Sequence, residues 1–203
     1  GTRDDTAALQ RAIDAAAGTG GSVLLSRGTF LSSTLTLRSR MTFFVNADAT
    51  LRGVTAAASY PVQSPATGNT QLGNCRRALL YAPETEALRV DGGGTIDGQG
   101  AGFGGAERER PMLFWAVRSN DLTVQNVYFQ RGAMWSVVTM ESDRVRLRNL
   151  NVQSSGITHD GIDVVDGEDV TVEDCAVRSG DDAMCLKSGV RRGVVNLVVR
   201  RSF

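Results

Sequence analysis

Asp160 is followed, 21 and 22 residues later, by Asp181 and Asp182. Carboxylates held close together cannot all ionise easily, so at least one of them is expected to keep its proton. One protonated and one ionised carboxyl group are what acid/base hydrolysis of a glycosidic bond requires. The same residue types also suit a calcium site or a solvated acidic turn. The pattern Gly180-Asp181-Asp182, one repeat after Asp160-Gly161, favours catalysis over both. Around the trio stand the only histidine of the chain, His159, and its only lysine, Lys187.

The three carboxylates meet only if the chain repeats. Ser155 to Gly189 aligns on itself at an offset of 22 residues, with Ile162 over Met184, Val164 over Leu186, Asp160 over Asp182 and His159 over Asp181. Apolar residues on every second position within such a repeat describe a coil of a parallel β-solenoid. Alternate strand residues face opposite ways. Ile162, Val164, Met184 and Leu186 are then inward, and Asp163, Val165, Cys185 and Lys187 outward. Asp160 and Asp182 share the inward parity, yet an unpaired buried charge is costly. They are therefore expected in the bend before the strand, where Gly156, Gly161 and Gly180 permit unusual backbone, forming one surface patch with Asp181. Parallel rungs stack ~4.7–4.9 Å apart, which makes Asp160 and Asp182 near neighbours. Asp163 and His159 are candidate sugar contacts. Lys187 has two readings of equal weight, a partner for a substrate carboxylate or a surface residue salt-bridged to Asp163. Trp135 lies one coil before Ile162 and reads as core first and sugar-stacking platform second. Arg131 is a plausible cleft residue.

The elements that position these groups follow from periodicity. Residues 3–17 predict one helix, N-capped by Asp4, Asp5 or Thr6, with Ala8, Leu9, Ala12, Ile13 and Ala16 as its apolar stripe and Gly18, Gly20 and Gly21 as its stop. A short helix ahead of a solenoid is its cap. From Ser22 the period changes to two. Leu122, Val145, Val170 and Leu197 recur at 23, 25 and 27 residues and are expected to stack in one parallel sheet. Asn126, Asn149 and Asp174 recur at the turn of three coils, where such residues tolerate left-handed backbone. Thr55–Arg77 and Gln99–Pro111 interrupt the repeat. They read as long loops, equally as cleft walls or as tolerated insertions.

Composition limits the partners. The chain has 203 residues, enough for one domain, and its 22 basic and 22 acidic residues leave no net charge. A nucleic-acid or anionic-membrane surface needs a basic excess, so neither partner is expected. No apolar run approaches the ~20 residues of a membrane span. Cys75, Cys175 and Cys185 lack metal spacing; Cys175 and Cys185 read first as free thiols packing like small hydrophobes and second as a disulfide with each other. No cofactor and no metal are expected.

The chain resembles the polygalacturonase-like pectin hydrolases, glycoside hydrolase family 28, over nearly its whole length. The resemblance runs from DDTAALQRAIDAA through ADATLRG, GGGTIDGQG, Arg110-Pro111 and the Trp135 segment to THDGID and GDDAMCLKSG; the last two are the specific motifs. It implies an all-β, right-handed parallel β-helix with a short N-terminal capping helix, over residues 1–203. It implies an inverting hydrolase of pectic polysaccharide that is secreted or periplasmic and monomeric at full length. Asp181 then looks like the general acid, and Asp160 and Asp182 like the pair that positions and deprotonates water. Thr158 and His159 stand where the family carries Asn and Thr, which opens a rhamnogalacturonan-type or other uronide-containing substrate. The family's Gly-His-Gly and Arg-Ile-Lys elements fall after Phe203. The 203 residues alone are accordingly expected to be part of a longer protein, to self-associate and to lack hydrolysis. Two rivals share the scaffold: a calcium-dependent pectate-lyase-like eliminase and a non-catalytic carbohydrate-binding solenoid.

Overall fold

The computed structural model describes residues 3–65, 67, 73, 75–189 and 193–203. Each coil of the chain lays down one strand in each of three sheets, seven, six and six strands wide. A representative coil runs through Asp143–Arg148 in the first sheet, Asn151–Gln153 in the second and Ile162–Val165 in the third. Every pairing between strands is parallel. With parallel crossovers of the usual hand, this is a right-handed parallel β-helix.

The inner rows explain why period-two segments stack rather than pair as hairpins. Val124, Leu147 and Val172 line the first sheet, Phe129 and Val152 the second, and Phe114, Val137 and Ile162 the third, all in one buried core. Each such side chain gains about 1.5–3 kcal/mol from burial, and only in-register stacking buries all of them. Val145, Val170 and Leu197 are successive partners in the first sheet, and Leu122 joins them through the Arg146 N–H bond to its carbonyl. Asn126, Asn149 and Asp174 take left-handed backbone at φ 57°, 49° and 55°. The Asn149 amide donates to Asn126 Oδ1 at 2.9 Å, so the turn ladder is structural as expected.

The helix spans Thr6–Ala16 and buries Leu9, Ile13 and Ala16 against the first coil. Ala8 and Ala12 are exposed, because a helix lying across the end of a solenoid meets it along a narrow stripe. Asp5 occupies the N-cap position without a side-chain cap, and the Thr6 N–H is met by Asp4 Oδ1 at 2.8 Å.

One expectation about sheet faces is corrected. The outer face of the third sheet is not open to solvent. Tyr81, Trp115, Val117, Val138, Met140 and Val165 form a second buried cluster there, joined by Cys75 from the Thr55–Arg77 loop. Cys75 is the residue of that loop that packs in the cluster; residues 66, 68–72 and 74 of the loop lie outside the described residues. Tyr60 of this loop and Phe103 of Gln99–Pro111 pack as a tilted ring pair with centroids 6.0 Å apart, so the two excursions brace each other.

Candidate active site

Asp160 sits in the bend that leads into Ile162–Val165, and Asp181 and Asp182 sit in the matching bend before Met184–Lys187. The ladder of the third sheet runs on into these bends. Ser136 N–H donates to the Asp160 carbonyl at 2.9 Å and Gly161 N–H to the Asp182 carbonyl at 2.9 Å, which locks the two bends in register. The bends touch backbone to backbone: a Cβ on Gly180 would lie 2.3 Å from the Gly156 nitrogen. No other residue type fits there. Of the three glycines expected to relax the backbone, only Gly156 has positive φ, and Gly161, like Gly180, is needed for close approach.

The carboxylates occupy two environments. Asp160 is buried, whereas Asp181 and Asp182 are exposed, so the expected single surface patch is corrected to a buried member beside two open ones. Lys187 supplies the basic partner that the parity reasoning lacked. Its Nζ donates to Asp160 Oδ2 at 2.6 Å and bonds to Asp163, and it lies 4.2 Å from the centroid of the Trp135 ring. Of its two readings, the ion pair with Asp163 is the one found, extended to Asp160. Asp163, expected outward as a sugar contact, has 0% exposure beneath the second apolar cluster and touches no solvent. Burial pushes its carboxyl up to about 7, against the lowering pull of Lys187. Burial would lower the Lys187 ammonium, but the charges of Asp163 and Asp160 outweigh it and hold that ammonium above the usual lysine range. The expected raised carboxyl is therefore met at Asp163, outside the trio for which it was made.

Cys185 is the residue that sequence reasoning missed. Its sequence context suits a small hydrophobe, yet its Sγ lies 2.9 Å from Asp182 Oδ2 and 3.6 Å from Asp160 Oδ2. Burial, then the hydrogen bond to Asp182, push the thiol up to about 12, so it is a protonated donor to Asp182, with Asp160 alongside. Its outward parity next to Asp182 was the available signal. Cys75 and Cys175 are buried free thiols.

Asp181 is held from the neighbouring coil. Its Oδ2 accepts the Thr158 N–H at 3.2 Å, made available by left-handed backbone at Thr158 (φ 63°). The expected stacking of His159 on Asp181 thus appears as a backbone contact one residue earlier. The His159 imidazole is buried against Gly156, whose added Cβ would meet it at 2.8 Å. It lines a cleft of about 430 Å³ together with Arg110, Arg131, Arg178, Gln153 and Ser155. Trp135 is buried, in the outer cluster rather than the inner core.

The donor atoms of Asp160, Asp182 and Cys185 lie within 4.8 Å of one another. They fit a calcium ion poorly, because calcium takes about 6–8 oxygen ligands. Here one of the three is a thiol, and the Asp160 oxygen already faces an ammonium. The same spacing lets one water molecule hydrogen-bond to both carboxylates.

Residues 22–200 match the family model described as glycosyl hydrolases family 28. Among curated proteins, a Vitis vinifera protein named "Probable polygalacturonase" is 26% identical over 183 residues, 84% of this chain and 37% of that protein. The endo-polygalacturonase of Pectobacterium carotovorum subsp. carotovorum is 27% identical over 207 residues, 90% of this chain and 51% of that protein. The chain thus spans about half or less of the length of these relatives. In fold it is similar to the polygalacturonase of Erwinia carotovora ssp. carotovora, with a TM-score of 0.85 and 23% identity over 100% of this chain and 60% of that one. It is also similar to PfbA, a surface adhesin of Streptococcus pneumoniae, with a TM-score of 0.67 and 20% identity over 100% of this chain and 54% of that one. A family match over 22–200, on a β-helix that gathers Asp160, Asp181 and Asp182 at one rim, gives the assignment: the chain belongs to the glycosyl hydrolases family 28.

Proposed function

We propose that this chain carries the catalytic rim of an inverting hydrolase of pectic polysaccharide, with a uronide-containing backbone as substrate. The observation that carries the reading is the division of three adjacent carboxylates into two environments. Asp160 is buried and ion-paired with Lys187, while Asp181 is exposed and fixed by the Thr158 N–H. Asp181 is the general acid that gives its proton to the leaving glycosidic oxygen. Asp160 and Asp182 hold the attacking water between them and take its proton as it adds to the anomeric carbon from the opposite face. Lys187 keeps Asp160 oriented, and the Cys185 thiol ties Asp182 to Asp160. All three carboxylates come from one chain, so a monomer makes the rim. A polymeric substrate of this size places the enzyme outside the cytoplasm, secreted or periplasmic.

The test is incubation of the complete enzyme, not of these 203 residues alone, with polygalacturonate and rhamnogalacturonan in EDTA. The reading expects new reducing ends with no unsaturated product absorbing in the ultraviolet. Loss of activity in EDTA with an unsaturated product would make it the eliminase. Binding without turnover, unaltered by Asp181→Asn, would make it a carbohydrate-binding solenoid.

Cys185 has its own expected signature. Removing a hydrogen bond of this kind costs about 0.5–1.5 kcal/mol, a rate loss of roughly 2- to 10-fold. Cys185→Ala should show that loss and move the limb of the pH–rate profile set by the water-binding pair. Cys185→Ser, which keeps a donor, should restore both. Thiol reagents should act slowly at neutral pH, because the protonated thiol is a poor nucleophile. Equal behaviour of the two variants would show that Cys185 only fills space.

A further inference from the structure

Beside the carboxylate rim, the second sheet presents a polar row on its outer face. Arg52 pairs with Asp97, Asp97 with Gln130, Gln130 with Gln153, and Gln153 with Arg178 on successive strands. The inner faces of the same strands carry Leu51, Ile96, Phe129 and Val152, so these polar side chains all point away from the core. Gln153 and Arg178 of this row line the cleft, together with His159, the chain neighbour of Asp160. Arg131 leans into it, with Nε bonded to Asp97 Oδ1 at 2.8 Å and Nη2 to Asp97 Oδ2. That leaves Nη1 unused, and the Arg131 side chain is 56% exposed. Arg110 enters from the Gln99–Pro111 loop, anchored by Nη2 on the Gly105 carbonyl at 2.9 Å. Arg178 is exposed at the end of Ala176–Arg178 and has no side-chain partner among the described residues. The lining thus holds three guanidinium groups and no carboxylate; Asp97, which holds Arg131, is buried and shared with Arg52 at 3.5 Å. Arg131 and Arg178 stand two rungs apart, roughly 10 Å. Guanidinium groups so placed, always charged and able to bind a carboxylate by two parallel bonds, form an anion site.

We propose that this cleft is a carboxylate-binding subsite, which seats a uronate residue of the substrate beside the bond to be cleaved, with Arg178 as its principal anchor and Arg131 as its second. The subsite rests on the hydrolase reading only for what happens to the sugar's neighbour, not for its own chemistry. It gives the Gln99–Pro111 excursion a role as cleft wall, through Arg110. It also gives a reason for His159 at this rim, as a wall of the subsite.

The subsite is tested by titrating trigalacturonate, and its fully methyl-esterified form, into the Asp181→Asn protein with and without Arg178→Gln. Charge-assisted bonds predict that Arg178→Gln weakens trigalacturonate about 10-fold and the neutral ester less than 2-fold. Arg178→Lys should recover part of the loss, as a point charge without the planar fork. Circular dichroism confirms that the variants fold, which Arg178 permits because it is exposed. An unchanged affinity in Arg178→Gln, an equal loss for acid and ester, or no binding of trigalacturonate at all would overturn the subsite. A protein that binds in this Arg178-dependent, ester-sensitive manner but cleaves no glycosidic bond would keep the subsite and sink the hydrolase reading instead.

Discussion

In the complete enzyme, Asp181→Asn lowers kcat by about 10²–10⁴-fold, the usual contribution of a positioned general acid. The substitution is nearly isosteric, and the Asn oxygen can still accept the Thr158 N–H that orients Asp181. Nothing buried is disturbed, because Asp181 is exposed. The loss should therefore fall on turnover, with binding of an oligosaccharide changed less than about threefold, under 1 kcal/mol. This split between kcat and binding separates a proton donor from a group that merely holds sugar. It is read from initial rates of reducing-end release together with titration of the variant. Near-normal turnover would remove Asp181 from the chemistry.

Lys187→Met destabilises the fold by about 3–5 kcal/mol, the cost of leaving buried carboxylates without their cation. Lys187 is the basic partner of both Asp160 and Asp163, and its ammonium also lies over Trp135. The deficit should depend on pH in a defined sense. The carboxyl of Asp163 is pushed up to about 7 by burial, so the folded protein binds this proton more tightly than the unfolded chain does. Stability from that group is present at low pH and is lost as pH rises through about 7. The Lys187→Met deficit should accordingly be larger at alkaline than at acidic pH. Adding Asp163→Asn, which mimics the protonated acid, should return part of the stability. Denaturant midpoints of the single and double variants check this. A deficit below about 1 kcal/mol, the range of a solvent-screened pair, would mean that Lys187 does not hold the bend together.

Much of this arrangement could be read from residue spacing, for a physical reason. A solenoid's inner positions must be apolar and its rungs must align, so Ile162 over Met184 and Val164 over Leu186 were fixed by pattern alone. The turn ladder of Asn126, Asn149 and Asp174 was legible because few side chains tolerate left-handed backbone. What covers the outer face was not legible from parity, which says only that a residue points away from the core. Asp163 was misplaced for that reason. A better signal was present in Ala78–Pro83 and Met112–Val117, continuous apolar runs of the sort that are buried on both faces. Cys185 was misread because a thiol serves equally as a small hydrophobe and as a hydrogen-bond donor, and only its distance to Asp182 distinguishes the two. Of the arginine cleft only Arg131 was legible, because Arg110, Arg131 and Arg178 lie on three separate segments with no shared spacing.

The central claim, that Asp160 and Asp182 direct a water molecule against a bond whose oxygen Asp181 protonates, has one direct measurement: the anomeric configuration of the first product, followed by proton NMR before mutarotation. The account predicts a new reducing end of configuration opposite to that of the linkage cleaved. A product that keeps the configuration would require a glycosyl-enzyme intermediate, and would contradict the roles given to all three carboxylates.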